Sequence, residues 1–158
     1  MKNLIKFILI ILCFSITLSC GYKVVNKLNK NNYTIAEITT SGAPRISYTI
    51  KNRLIFNSSK ESNNSLTLKI NVDKKRIVKN KNIKNEITDY EIVINTEVKY
   101  SLLGKTKEAR FILNNSGSYK VSDQRINTIN NEKKLLETLT NNIIDEISFR
   151  LSKEINDN

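Results

Sequence analysis

The chain has 158 residues, with 26 Lys and Arg against 15 Asp and Glu, a formal net charge of +11, two Cys and neither His nor Trp. Without His there is no ordinary Ser-His or Cys-His couple, and with only four glycines no phosphate-cradling Gly-rich loop is present. So basic a chain favours polyanions as partners, whether nucleic acid, anionic lipid headgroups or phosphorylated glycolipid.

The first segment decides among these. Lys2 and Lys6 form a short basic stretch, and Phe7 to Leu18 then run apolar except for Ser15 and Thr17. That is the layout of a secretory signal. The run is shorter than the roughly 20 residues needed to cross a bilayer. It ends Ile16-Thr17-Leu18-Ser19-Cys20, which resembles the cleavage box of a bacterial lipoprotein. A small residue precedes the bond to be cut, and the thiolate after it can carry a diacylglyceryl group. Residues 1–19 are therefore read as signal peptide and Cys20 as the site of lipid attachment, which anchors the chain to a membrane. Cleavage there leaves 139 of the 158 residues, enough for one modest core. Cys13 departs with the signal and Cys20 is acylated, so no disulfide is expected. Gly21 follows the Cys instead of the Asp that retains such lipoproteins at the inner membrane, so sorting to the outer membrane is expected. An exported chain seldom meets nucleic acid, and none is expected as a partner.

Residues 20–32 read as the lipidated end and a polar tether, and 33–158 as one domain. Tyr33 to Thr39 alternates and reads as a strand. After the break at Ser41-Gly-Ala-Pro44, proline suits the first position of a helix, where its missing N–H costs nothing. Ile46, Ile50 and Leu54 continue that helix at a spacing of four, to about Phe56. Three strands follow. Leu66 to Val72 and Tyr90 to Leu102 place apolar residues at even positions, and Lys107 to Val121 sets Ala109, Phe111, Leu113, Tyr119 and Val121 on one face. Alternation with a period of two means a sheet with one face in the core and the other wet. The connection Lys74–Asn85 is basic and is expected to extend the first two of these strands into a long arm. It holds Lys74, Lys75, Arg76, Lys79, Lys81 and Lys84, with no acidic residue from 74 to 84. A closing helix is expected from about Glu132 to Glu154, capped by Asn130 or Asn131. Leu135, Leu139, Ile143, Ile147 and Leu151 mark its buried stripe, reinforced by Leu136, Ile144 and Phe149. The expected fold is α+β, a two-layer sandwich of order β-α-β-β-β-α, with a mixed four-stranded sheet and both helices on one face. Nothing in the spacing of Asp and Glu calls for a metal, no cofactor is implied, and the chain is not expected to be an enzyme.

Several pieces together resemble a known family. They are Cys20-Gly21-Tyr22, the helix containing Lys51-Asn52-Arg53-Leu54, Asp89-Tyr90 at the start of the second long strand, and Glu132…Leu135-Leu136…Leu139. These are similar to the lipopolysaccharide-assembly lipoprotein family (LptE, formerly rare lipoprotein B), along essentially the whole mature chain. The sparse Pro and Gly and the lysine-heavy arm depart from it. The resemblance implies a non-enzymatic lipoprotein on the periplasmic face of the outer membrane, plugging an LptD-like β-barrel and helping to deliver lipopolysaccharide. By position it makes Lys79, Lys81 and Lys84 at the arm's tip, and Arg125 ahead of the last helix, the candidate glycolipid contacts. Other classes remain open: a lipoprotein adaptor that activates a cell-wall synthase, or a purely structural outer-membrane lipoprotein.

Overall fold

A computed structural model describes residues 31–59, 62–104 and 108–156. The signal, Cys20, most of the tether and part of the turn at Gly104-Lys105 lie outside the described residues. Six elements follow in the expected order: β1 (Thr34–Gly42), α1 (Pro44–Asn57), β2 (Ser65–Lys81), β3 (Ile87–Leu102), β4 (Glu108–Lys120) and α2 (Arg125–Asn156). The sheet runs β1-β2-β3-β4. β1 is parallel to β2, and the other two pairs are antiparallel. The fold is α+β, with a mixed four-stranded sheet and two helices.

The alternation in the strands explains where the core lies. Leu66, Leu68, Ile70 and Val72 of β2 are buried, as are Ile92, Ile94 and Val98 of β3. They form one cluster with Ile46, Ile50 and Leu54 of α1 and Leu139, Ile143, Ile144, Ile147 and Leu151 of α2. The odd residues of β3 face away and stay partly exposed. α1 starts with Pro44 and stops at Ser58, whose N–H donates to the Leu54 carbonyl at 3.0 Å and whose hydroxyl donates to the Ile55 carbonyl at 2.8 Å.

Three expectations are corrected. β1 continues past Thr39 to Gly42, because its ladder with β2 holds through Gly42 opposite Val72; Tyr33 lies just before it, wholly buried. α2 begins at Arg125, a turn or more before Glu132. Asn127 to Asn131 are poor helix formers, but they are tied to the end of β4. The Thr128 hydroxyl accepts from Ser122 N–H at 2.9 Å, and Asn131 Nδ2 donates to the Lys120 carbonyl at 3.1 Å. Asn130 and Asn131 are thus inside the helix, not its cap, and Glu132 is outside its first turn. Finally, Phe149 is 65% exposed and so outside the buried stripe of α2, and Val121 lies beyond the end of β4 and is exposed.

Candidate functional site: the cationic arm

β2 is 17 residues long, about 55 Å at roughly 3.3 Å per residue. Its first residues lie beside Thr34 at one pole, where Asn31 bridges to Ser58 and Ser152 donates to Asn31. The tether therefore joins the fold at that pole. The hairpin tip lies at the other, and the cations lie on the last stretch of β2 leading to it. The basic connection extends β2 as far as Lys81, but β3 begins only at Ile87, beyond Asn85, so the segment lengthens one strand and forms the turn.

Asparagine builds the tip. Asn82 Oδ1 accepts from the N–H groups of Lys84 and Glu86 at 2.9 and 3.0 Å, and Asn82 Nδ2 donates to Glu86 at 2.7 Å. Asn85 takes a φ of +64°, a left-handed conformation that Asn tolerates better than most residues. Its side chain accepts from Lys81 Nζ at 2.9 Å. Ile83 at the apex is fully exposed. Lys79 sits in a bulge, since pairing steps from Val78↔Tyr90 to Asn80↔Asp89. Its ammonium donates to the Ser118 hydroxyl at 3.0 Å, across β3. The structure thus brings Lys79, Lys81 and Lys84 to one exposed tip. Arg125 lies at the same pole on the β4 flank, as the first residue of α2 and not ahead of it.

Among the described residues, salt bridges reach only two of the six arm cations. Lys75 meets Asp73 at 3.6 Å, and Arg76 meets Glu132 at 3.5 Å. Arg76 also stands 4.8 Å over the Tyr90 ring, which stacks on Tyr119 at 5.7 Å, and the Tyr119 hydroxyl donates to Glu132 at 3.1 Å. Burial pushes the Tyr119 hydroxyl above its ordinary value. This cluster clamps the arm to α2, so Arg76 is spoken for by the fold. Sequence reasoning did not find it, because Arg76 and Glu132 lie 56 positions apart.

A shallow cleft of about 360 Å³ lies elsewhere, between α2 and β3–β4, lined by Tyr100, Arg110, Phe111, Phe149 and Arg150 among others. Arg150 stacks 5.3 Å over Phe111 and pairs with Glu146 at 2.7 Å. None of the candidate residues lines it. Among the described residues no group of His, Cys, Asp and Glu could hold a metal ion, and no helix is long and apolar enough to cross a membrane.

No protein-family model and no curated protein matches the chain. Solved structures do. Rare lipoprotein B from Shewanella oneidensis superposes with a TM-score of 0.57 at 16% identity, over 76% of this chain and 97% of its own. The fold is that of rare lipoprotein B. A lipoprotein from Caulobacter crescentus gives 0.55 at 16% identity, over 75% of this chain and 89% of that one. Lipoprotein B from Nitrosomonas europaea gives 0.50 at 11%, over 81% and 90%. At such identities the likeness speaks for the architecture, the same one that the sequence resemblance implies.

Proposed function

We propose that this chain is a lipoprotein of the outer membrane that plugs an LptD-like β-barrel and helps to carry lipopolysaccharide to the cell surface. One observation carries the reading: an exposed cationic arm, with salt bridges to only two of its six cations among the described residues, points away from the pole where the tether joins the fold. The lipid on Cys20 is separated from Asn31 by 11 residues, at most about 40 Å when fully extended. A membrane anchored there holds one end of the molecule and leaves the tip free to reach a second, polyanionic surface. The phosphates of lipid A supply such a surface, and Lys79, Lys81 and Lys84 answer it with Arg125 on the same pole. The uncovered face of the sheet supports the barrel partner. It presents Lys69, Asn71, Asp73 and Lys75 of β2 and Glu91, Asn95, Glu97, Lys99 and Ser101 of β3, interrupted by Val93, by Ile77 of β2 and by Ile112 of β4. A hydrated lumen suits it better than lipid does.

Two experiments test this. Affinity purification of the full chain from detergent-solubilised membranes should bring down one large barrel protein, and recovery of only a cell-wall synthase would replace this reading with the adaptor one. The triple variant Lys79→Glu, Lys81→Glu, Lys84→Glu should lose lipopolysaccharide in a low-salt pull-down while its circular dichroism is unchanged. Exposed contacts are individually weak and are screened over roughly 8–10 Å, so the three are changed together. Unaltered binding by the folded variant removes the tip from the site.

A further inference from the structure

The pairing of β1 with β2 stops at Gly42 opposite Val72, although β2 runs on to Lys81. Gly42 has a φ of +88°, Ala43 N–H donates to the Val72 carbonyl at 2.8 Å, and Pro44 then opens α1. The chain leaves the sheet there. From Asp73 to Lys81, β2 is paired to β3 on one side and among the described residues carries no strand on the other.

The direction of the main chain along that stretch follows from two hydrogen bonds. The Val72 carbonyl accepts from Ala43 on the β1 side, and the Ser65 carbonyl accepts from Leu103 on the β3 side. In an antiparallel pair successive residues alternate between the two sides. Even-numbered Lys74, Arg76 and Val78 therefore send their N–H and C=O groups into the lane that β1 vacates, and odd-numbered residues serve β3. A bare edge of nine residues is a template for another strand.

We propose that this edge takes up an extended acidic segment of a partner protein as a fifth strand, in line with β1. Charge selects the occupant. A second copy of this chain would set the five cations of Asp73–Lys81 against the same five, and like charges on neighbouring strands repel. The chain's own residues 20–30 hold Lys23, Lys27 and Lys30 and no Asp or Glu, so they repel the edge too. An acidic segment would face Lys74 on the helix side and Lys75 on the open side, while Lys79 reaches the other way, across β3 to Ser118. Its main chain would supply the binding and its alternate side chains the selection. The lysines that keep neutral strands off an edge thus become the filter that admits an acidic one. This goes beyond the barrel and glycolipid reading and stands without it, because it rests on the main chain of β2 and not on the tip.

The test uses the full chain in detergent and two labelled nine-residue peptides, one alternating glutamate with valine and the other lysine with valine, followed by fluorescence anisotropy. The glutamate peptide should bind and the lysine peptide should not. Val78→Pro removes one outward N–H and keeps all six cations, and proline is tolerated at an edge. It should weaken peptide binding about tenfold, the scale of one main-chain hydrogen bond lost from an interface, whereas Val78→Ala should not. Lipopolysaccharide binding should survive Val78→Pro, which separates this edge from the tip. In the unaltered chain, adding the peptide should slow amide exchange at Lys74, Arg76 and Val78 and leave Lys75 and Ile77 unchanged. Absence of glutamate-peptide binding would overturn the proposal, as would binding that leaves those three amides exchanging as before.

Discussion

Gly42→Ala perturbs the turn that ends β1, and its cost can be worked out against a second glycine. Gly42 and Gly104 have φ values of +88° and +84°, a region that costs an L side chain roughly 1–2 kcal/mol. The gain from stiffening the unfolded chain, about 0.4–1 kcal/mol, is common to both. They differ in surroundings. A Cβ at Gly104 meets nothing within 4 Å, whereas at Gly42 it would fall 1.9 Å from the Val72 carbonyl oxygen and 2.7 Å from its carbon. Val72 lies in β2, an inner strand that its odd-numbered neighbours tie to β3, and cannot give way. β1 must lift instead, losing the Ala43–Val72 hydrogen bond, worth about 1 kcal/mol, and loosening buried Ile38 against the core, a further cost on the order of 1 kcal/mol. Gly42→Ala should thus cost about 2 kcal/mol more than Gly104→Ala. With a urea slope of about 2 kcal/mol per molar, its unfolding midpoint should lie about 1 M lower. Coincident midpoints for the two variants would refute the close approach and with it the account of how the lane is vacated.

Two further outcomes are expected. Burial pushes the Tyr33 hydroxyl up to about 12, opposed by the nearby Ser148 hydroxyl, while in the unfolded chain it ionises near 10; the stability this contributes is full below about pH 10 and is lost as the pH rises towards 12. Tyr33→Phe should therefore make the alkaline fall of the urea midpoint shallower, and an unchanged slope would count against it. Cys20→Ala should leave a full-length, unacylated precursor, as the processing protease acts on the lipidated Cys; intact-mass measurement of the membrane form checks this, and cleavage of the variant, or a mature N-terminus bearing unmodified Cys20 in the unaltered chain, would show that lipidation is not required.

The sheet was legible because its two faces meet different surroundings. Helices cover only one, so Leu66 to Val72 and Ile92 to Val98 had to alternate, and the period of two could be read directly. The stripe of α1 was legible for the same reason. The start of α2 was not. Asn127 to Asn131 favour caps and turns in isolation, and what holds them helical is a set of bonds to Ser122 and Lys120, which no local pattern carries. Phe149 misled because apolarity was taken for burial; it overhangs the cleft beside Phe111 and Arg150. The cations of the arm were plain in the sequence, and so was the clustering of Lys79, Lys81 and Lys84. The Asn82 side chain that organises their turn was missed, although Asn-Lys-Asn-Ile-Lys-Asn85 is a run of turn formers.

The meaning of those cations changes once the edges are known. Read from the sequence, six like charges on a strand connection serve stability poorly and suit a polyanion better. In the structure all of these but Lys84 lie on the stretch of β2 that β1 leaves bare, where positive charge keeps strands from stacking edge to edge. Asp89 and Glu91 lie on the returning strand, with Glu86 in the turn just before it, so the positive charge is not spread evenly over the hairpin but is concentrated on β2. Periodicity reports which face of a strand is buried and is silent on which edge is free. That depends on where the neighbouring strand stops, and here it stops because one glycine takes a positive φ. Two demands, guarding an edge and attracting an anion, thus fall on the same lysines. Their separation lies in geometry: the edge is addressed through the N–H groups of Lys74, Arg76 and Val78, and the tip through the ammonium groups of Lys79, Lys81 and Lys84.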